Sequence, residues 1–204
     1  GLTDELWKEI LFEGENYDRE DAKRICMSFL ASIFPWSFNM PVEAVENTDD
    51  ALGIISIIKA NNENLDAAAD LFDLYRQFYE EKANLKLAKN FLQERMQEKS
   101  SVIYLAIGAN EKAIGFMQLY PLFCSVAATP IWVLYDLYVD SSARRQGVGK
   151  LLMNQARELA KSNGSSRIDL ETAVDNVNAQ ALYESLGYEK EVEFFKYSLS
   201  LEDH

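Results

Sequence analysis

The chain has 204 residues, 48% hydrophobic and 12% aromatic, enough apolar mass for one large domain with a sizeable core and too much for a disordered or fibrous chain. Asp and Glu number 33 against 20 Lys and Arg, a formal charge of -13, which argues against a general nucleic-acid or anionic-membrane binder and requires any polyanionic ligand to meet a local basic patch. The single histidine is the terminal His204, and Cys26 and Cys124 stand 98 positions apart, so Ser-His-Asp chemistry, histidine metal sites and paired-cysteine motifs are excluded and no metal is expected.

The opening GLTDELWKEI lacks the basic start and apolar run of a secretory leader, which points to the cytoplasm. Residues 3–12 read as a short helix. Asp18 caps a second one, in which Ala22, Ile25, Cys26, Phe29, Leu30 and Ile33 share a face until Pro35 stops it. Residues 40–53 are polar, acidic and broken by Pro41 and Gly53, as a linker is. Residues 1–53, with 12 acidic and 4 basic side chains, therefore form an acidic helical extension, and 54–204 the main domain. Trp7, Phe12, Phe29, Phe34, Trp36 and Phe38 are too many aromatics to stay wet, so the extension is expected to pack. A helical cap, a homodimer arm and a partner-binding element all satisfy that expectation.

From residue 54 strands and helices alternate. A β-branched strand at 54–60 precedes helical patterns at 64–82 and 85–98, the first with Leu71, Leu74, Tyr75, Phe78 and Tyr79 along one face. Strands follow at 102–109, 113–120 and 131–139. The uncharged run 113–135 is long enough for a membrane helix, but Pro121 and Pro130 interrupt it and its residues are β-branched or aromatic, so two buried strands joined by a loop are expected and no membrane span. A helix at 147–161, a strand at 167–173, a helix at 178–186 and a strand at 191–199 complete an α/β order of β-α-α-β-β-β-α-β-α-β.

The window 138–152, YVDSSARRQGVGKLL, runs from a strand through a glycine-bearing turn into a helix. Between Ser141 and Arg167 stand six basic residues and one acidic, net +5 in a protein of net -13. Glycines let a backbone approach an anion, and the N–H groups of a first helical turn, with the helix dipole, point at it. A Walker loop would need Gly and Ser or Thr where Arg144 and Leu151 stand; a dinucleotide fingerprint would need Gly at Leu152.

Arg144-Arg145-Gln146-Gly147-Val148-Gly149 resembles the Arg/Gln-x-x-Gly-x-Gly/Ala signature of the GNAT family of N-acetyltransferases. The segment 175–188, DNVNAQALYESLGY, resembles the family's Asn-x-x-Ala-x-x-Leu-Tyr-x-x-x-Gly-Phe block, with Tyr188 for the common Phe and tighter spacing after Asn178. The resemblance spans 54–199 and implies a central mixed sheet of about six strands flanked by helices. It also implies direct transfer of an acetyl group from acetyl-coenzyme A (acetyl-CoA) to a primary amine of a small molecule or peptide. Leu137, Tyr138 and Val139 would then offer backbone groups to the pantetheine arm, Arg144 to Lys150 would hold the pyrophosphate, Asn178 would anchor the cofactor side of the last helix, and Tyr183 would protonate the departing thiolate. A phenol and a thiol have comparable proton affinities, which suits Tyr183 to that task.

The base that takes the ammonium proton is either Asp136, preceded here by Tyr135 where some members carry Glu, or Glu171; a substrate arriving deprotonated is the third reading. By the same resemblance Tyr75, Arg76, Tyr79, Tyr120, Phe123 and Trp132 rim the acceptor pocket, and Arg76 would pair with a substrate carboxylate. A non-catalytic module that binds acyl-CoA or a protein partner on the same fold is the competing reading.

Overall fold

The computed structural model describes residues 55–109 and 111–201. The expected helices and linker of the extension, and the boundary near residue 53, lie outside them. The chain divides into two compact units, one ending at Asp169 and one beginning at Leu170.

The first unit is built on a sheet with strand order β1-β2-β3-β4-β5. Strands β1 (Ser56–Lys59), β2 (Val102–Ile107), β3 (Ala113–Cys124) and β4 (Thr129–Val139) pair antiparallel in sequence. Strand β5 (Ile168–Leu170) follows β4 at the edge. The Pro130 carbonyl accepts from the Ser166 N–H, and the Trp132 N–H donates to the Arg167 carbonyl, so the chain entering β5 advances in the direction of β4. The sheet is therefore mixed.

Helices α1 (Leu65–Phe78) and α2 (Leu85–Glu98) cover one face. Leu65, Ala68, Ala69 and Phe72 recur at helical spacing and meet Leu92 of α2 and Ile103, Leu105 and Phe116 of the sheet in one buried cluster. Leu74 and Phe78, expected on the buried face, are exposed instead, because the packed stripe runs through Ala68 and Phe72. Helix α1 stops four residues before the expected 82. Glu80 turns left-handed at φ 66°, and the N–H groups of Glu80 and Glu81 return to the carbonyls of Gln77 and Arg76 in a Schellman closure.

Helix α3 (Val148–Ser162) lies against the opposite face, burying Val148, Leu151, Leu152, Met153, Ala156 and Ala160. Its contact is close at Gly115. A Cβ there would stand 2.8 Å from Val148 Cγ1 and 3.1 Å from Leu152 Cδ1, so only glycine admits the first turn of α3 at this height.

Two expectations change. The loop foreseen around Pro121 and Pro130 is a hairpin, with β3 reaching Cys124 and β4 starting at Thr129. Trp132, opposite Pro121, spends its N–H on Arg167, so this is a pair that shares no ladder bond and the proline's missing donor costs nothing there. The sixth strand foreseen at 191–199 is not formed, and the sheet has five strands among the described residues. The apolar alternation of Phe195, Tyr197 and Leu199 is real, but those side chains are exposed and the segment takes part in no ladder.

The second unit contains α4 (Val177–Ser185), which starts one residue before the expected 178; its N-cap is Asn176, whose side chain accepts from the Ala179 N–H at 3.4 Å. Gln180 Nε2 ties the helix to the preceding turn through the carbonyls of Ala173 and Val174.

Candidate active site

Strand β4 carries the site because of an irregularity. The register passes from Gln118 opposite Asp136 to Leu119 opposite Leu134, leaving Tyr135 as an extra residue. Consecutive strand residues ordinarily face opposite sides; the bulge lets Tyr135 and Asp136 line the same cleft. Beyond the bulge β4 runs on to Val139, whereas β5 is three residues long.

The cleft has a volume of about 300 Å³ and a mostly carbon lining. Of the expected acceptor residues, the structure brings together Tyr75, Arg76, Tyr79 and Tyr120, and adds Phe72, Glu81, Phe91 and Tyr135. Tyr75 and Tyr79 lie one turn apart on α1 with rings 5.1 Å apart, and Phe72, one turn earlier, stacks on Phe91 of α2 at 5.4 Å. Phe72 was legible in principle as the next residue on the Tyr75 stripe; Tyr135 was not, because only the bulge brings it in. Two expected rim residues lie elsewhere. Trp132 is 1% exposed and belongs to the core, and Phe123 is exposed near the hairpin tip, outside the cleft lining.

Asp136 closes the floor at 5% exposure. Burial pushes its carboxyl up to about 6, against the opposing pull of hydrogen bonds from Gln118 and Tyr75. Gln118, wholly buried on β3, donates Nε2 to Asp136 Oδ2 at 2.9 Å and to the Tyr120 hydroxyl at 2.6 Å, while its Oε1 accepts from Ser101 at 3.1 Å. The Tyr75 hydroxyl also donates to the Tyr135 carbonyl at 3.3 Å. Burial, reinforced by the Asp136 charge, raises both phenols, Tyr120 to about 12, so both stay protonated beside the carboxylate.

Arg76 is not free to meet a substrate carboxylate. It pairs with Asp73 at 3.3 Å and Glu81 at 3.5 Å, and Asp73 is itself held by Gln77 and the Asn84 N–H. Glu81 reaches Arg76 because the left-handed turn at Glu80 folds the chain back.

Past β4, Asp140 accepts from the Ser142 N–H at 2.9 Å and caps a single 3-10 turn, Ser141–Ala143; those Ser142 bonds hold its carboxyl below the usual range. Arg144 Nε donates to the Val139 carbonyl at 3.0 Å and its guanidinium lies over the Tyr138 ring at 5.7 Å, so it clamps the loop to the strand. Gln146 Nε2 returns to the Ser142 carbonyl at 3.1 Å. Arg145 and Gly147 are both left-handed, with φ of 61° and 81°, which turns the chain into α3. Gly147 is the N-cap of α3 and supplies no side-chain acceptor, whereas α2 and α4 are closed by Asn84 and Asn176. The first turn of α3, with exposed Arg145 and Lys150 beside it, thus keeps its N–H groups clear of side-chain caps.

In the second unit Glu171 is exposed and ion-paired with Lys196. Asn178 is exposed on the first turn of α4. Tyr183 is the buried residue of that helix, its ring 6.1 Å from that of Tyr188.

A mixed sheet with a bulged fourth strand, followed by a glycine-capped basic turn into a helix, forms an α/β architecture of the acetyltransferase kind. Comparison with known proteins makes the class specific: the acetyltransferase (GNAT) family profile matches residues 68–188, and the chain belongs to that family. It resembles the uncharacterized N-acetyltransferase YhfO of Bacillus subtilis, with 39% identity over 147 residues, 72% of this chain and 98% of that one. A probable acetyltransferase of Haemophilus influenzae is 30% identical over 147 residues, 72% and 99% of the two chains. A crystal structure of a probable acetyltransferase superposes with a TM-score of 0.68 at 40% identity, covering 72% and 99%. The protein is an acetyltransferase with an acceptor substrate. Among the described residues no helix is long and apolar enough to cross a membrane.

Proposed function

We propose that the protein transfers an acetyl group from acetyl-CoA to a primary amine held against Asp136. The observation that carries this is the buried, proton-hungry carboxylate on the floor of an aromatic cleft, on the strand that leads directly into the basic helix turn. Acetyl-CoA would supply an activated thioester acetyl. The residues fit it: an N-terminus capped by glycine alone, flanked by Arg145 and Lys150, suits a pyrophosphate, and Leu137 and Tyr138 lie on β4 past the end of β5. Arg144 and Gln146 hold this turn in shape, and Val148 and Gly149 contribute backbone N–H groups.

Asp136 is the base in this reading. Burial raises its proton affinity toward that of an amine in the same cleft, and Gln118 fixes the carboxylate oxygen that stays bonded. Glu171, solvated and paired with Lys196, lacks that desolvation. Tyr183 delivers the proton to the departing sulfur, and Asn178 stands on the helix that carries it.

Arg145→Glu is expected to weaken acetyl-CoA binding about tenfold or more, measured by calorimetry; unchanged affinity removes the pyrophosphate turn. Tyr183→Phe separates an enzyme from a binding module. Turnover should fall by about 10²-fold with acetyl-CoA affinity retained, and full activity in that variant would refute the acid assignment.

A further inference from the structure

The charges along the cleft are nearly all used internally. Among the described residues Arg76 is the single cation in the lining, and it is matched by Asp73 and Glu81. A substrate carboxylate would have to displace one of them: displacing the buried Asp73 strips that residue of its charged partner, and displacing the exposed Glu81 only replaces one carboxylate by another, with no pairing gained. Once the Arg76–Glu81 pair is set aside, Asp136 is the one carboxylate left in the lining among the described residues. An acceptor with several ammonium groups would find a counter-ion for one and only ring faces for the others, whose attraction offsets part of the desolvation cost and supplies no counter-charge.

What the cleft offers in quantity is aromatic surface. Phe72 with Phe91, Tyr75 with Tyr79, and Tyr120 with Tyr135 form three ring pairs with centroids 5.1 to 5.8 Å apart. Such rings bind an aromatic body edge-on or offset, and their faces attract an ammonium. The volume of about 300 Å³ lies at the small end of ligand pockets, room for one ring and a short chain.

We propose that the acceptor is a primary amine on a short aromatic body, an arylalkylamine in chemical class, with its nitrogen at Asp136 and its ring among the six aromatic side chains. This rests on the acetyl-transfer reading above. The test uses the full chain with phenethylamine, phenylalanine, spermidine and sisomicin as acceptors, following thiol release, with acetyl-CoA binding measured separately by calorimetry. Phenethylamine should show kcat/KM about tenfold or more above each of the other three. Tyr79→Ala, at a half-exposed position, should lower that value about tenfold, chiefly through KM, with acetyl-CoA affinity unchanged. Phe91→Ala should act in the same direction. If acetyl-CoA binds and phenylalanine, spermidine or sisomicin equals phenethylamine, the acceptor class is overturned and acetyl transfer stands. A folded Tyr79→Ala enzyme with unaltered phenethylamine kinetics also overturns it. Failure to bind acetyl-CoA, or to acetylate any amine, overturns both.

Discussion

As the proposed base, Asp136 meets two opposed demands. A base must be ionised at working pH, yet the burial that strengthens it favours the neutral acid, and a carboxyl raised to about 6 satisfies both near neutrality. The profile of kcat/KM should therefore show an acidic limb with a midpoint near pH 6 that disappears in Asp136→Asn along with most of the rate. Stability should carry the same signature. The folded state binds the proton more tightly than the unfolded chain, whose carboxyl keeps the ordinary value of 3.8, so stability is greatest at the acid end and declines as pH rises from about 4 to about 6. That difference is worth roughly 2–3 kcal/mol for a group this buried. Asp136→Asn should remove this slope and gain stability relative to the parent at pH 7, read by denaturant titration at pH 4 and pH 7. A parent whose stability rises over that interval to the same extent as the variant would contradict the buried-carboxylate account.

At the scale of elements, much was legible because it is local. Helical spacing along α1 and α3, β-branched and aromatic runs in β1 to β4 and the glycine at the mouth of α3 each record a constraint within one segment. The bulge at Tyr135 was not legible, since it exists only in the pairing of β4 with β3. The competition for Arg76 was half legible: Asp73 stands at helical spacing in the sequence, but Glu81 joins it through a left-handed turn at a non-glycine residue. The strand foreseen at 191–199 had the right alternation and no ladder to join. Gly115 has no sequence signature, because its meaning lies in what packs over it. Gly115→Ala should cost about 1–3 kcal/mol by forcing Val148, and with it the first turn of α3, off the sheet, and should weaken acetyl-CoA binding in parallel. Adding Val148→Ala removes the Cγ1 atom 2.8 Å from the new Cβ, so the double variant should recover part of the loss. Additive effects in the thermal melts of the four proteins would mean the two positions do not compete for the same space.

For the whole molecule, charge divides the two substrates. In the proposed reaction a net -13 protein would repel acetyl-CoA at long range and capture it at the net +5 segment, while a cationic amine would be drawn in from all sides. Residues 1–53 hold -8 of that charge, so the remainder carries -5. The family match begins at residue 68, and its Bacillus relative is 98% covered by 72% of this chain, so a protein lacking residues 1–53 is expected to keep the acetyltransferase fold. From the aromatic residues in its sequence the extension is expected to pack, and its removal should then lower the melting temperature or solubility. It should also change how salt acts. Raising ionic strength from about 0.02 M to about 0.5 M shrinks the screening length several-fold and should reduce kcat/KM for a cationic amine in the full chain, with a shallower slope in the shortened one. Acetyl-CoA affinity in the shortened protein should be equal or higher, because repulsion is lost while the basic turn is kept. Parallel salt slopes for the two proteins would show that the acidic extension takes no part in gathering the amine.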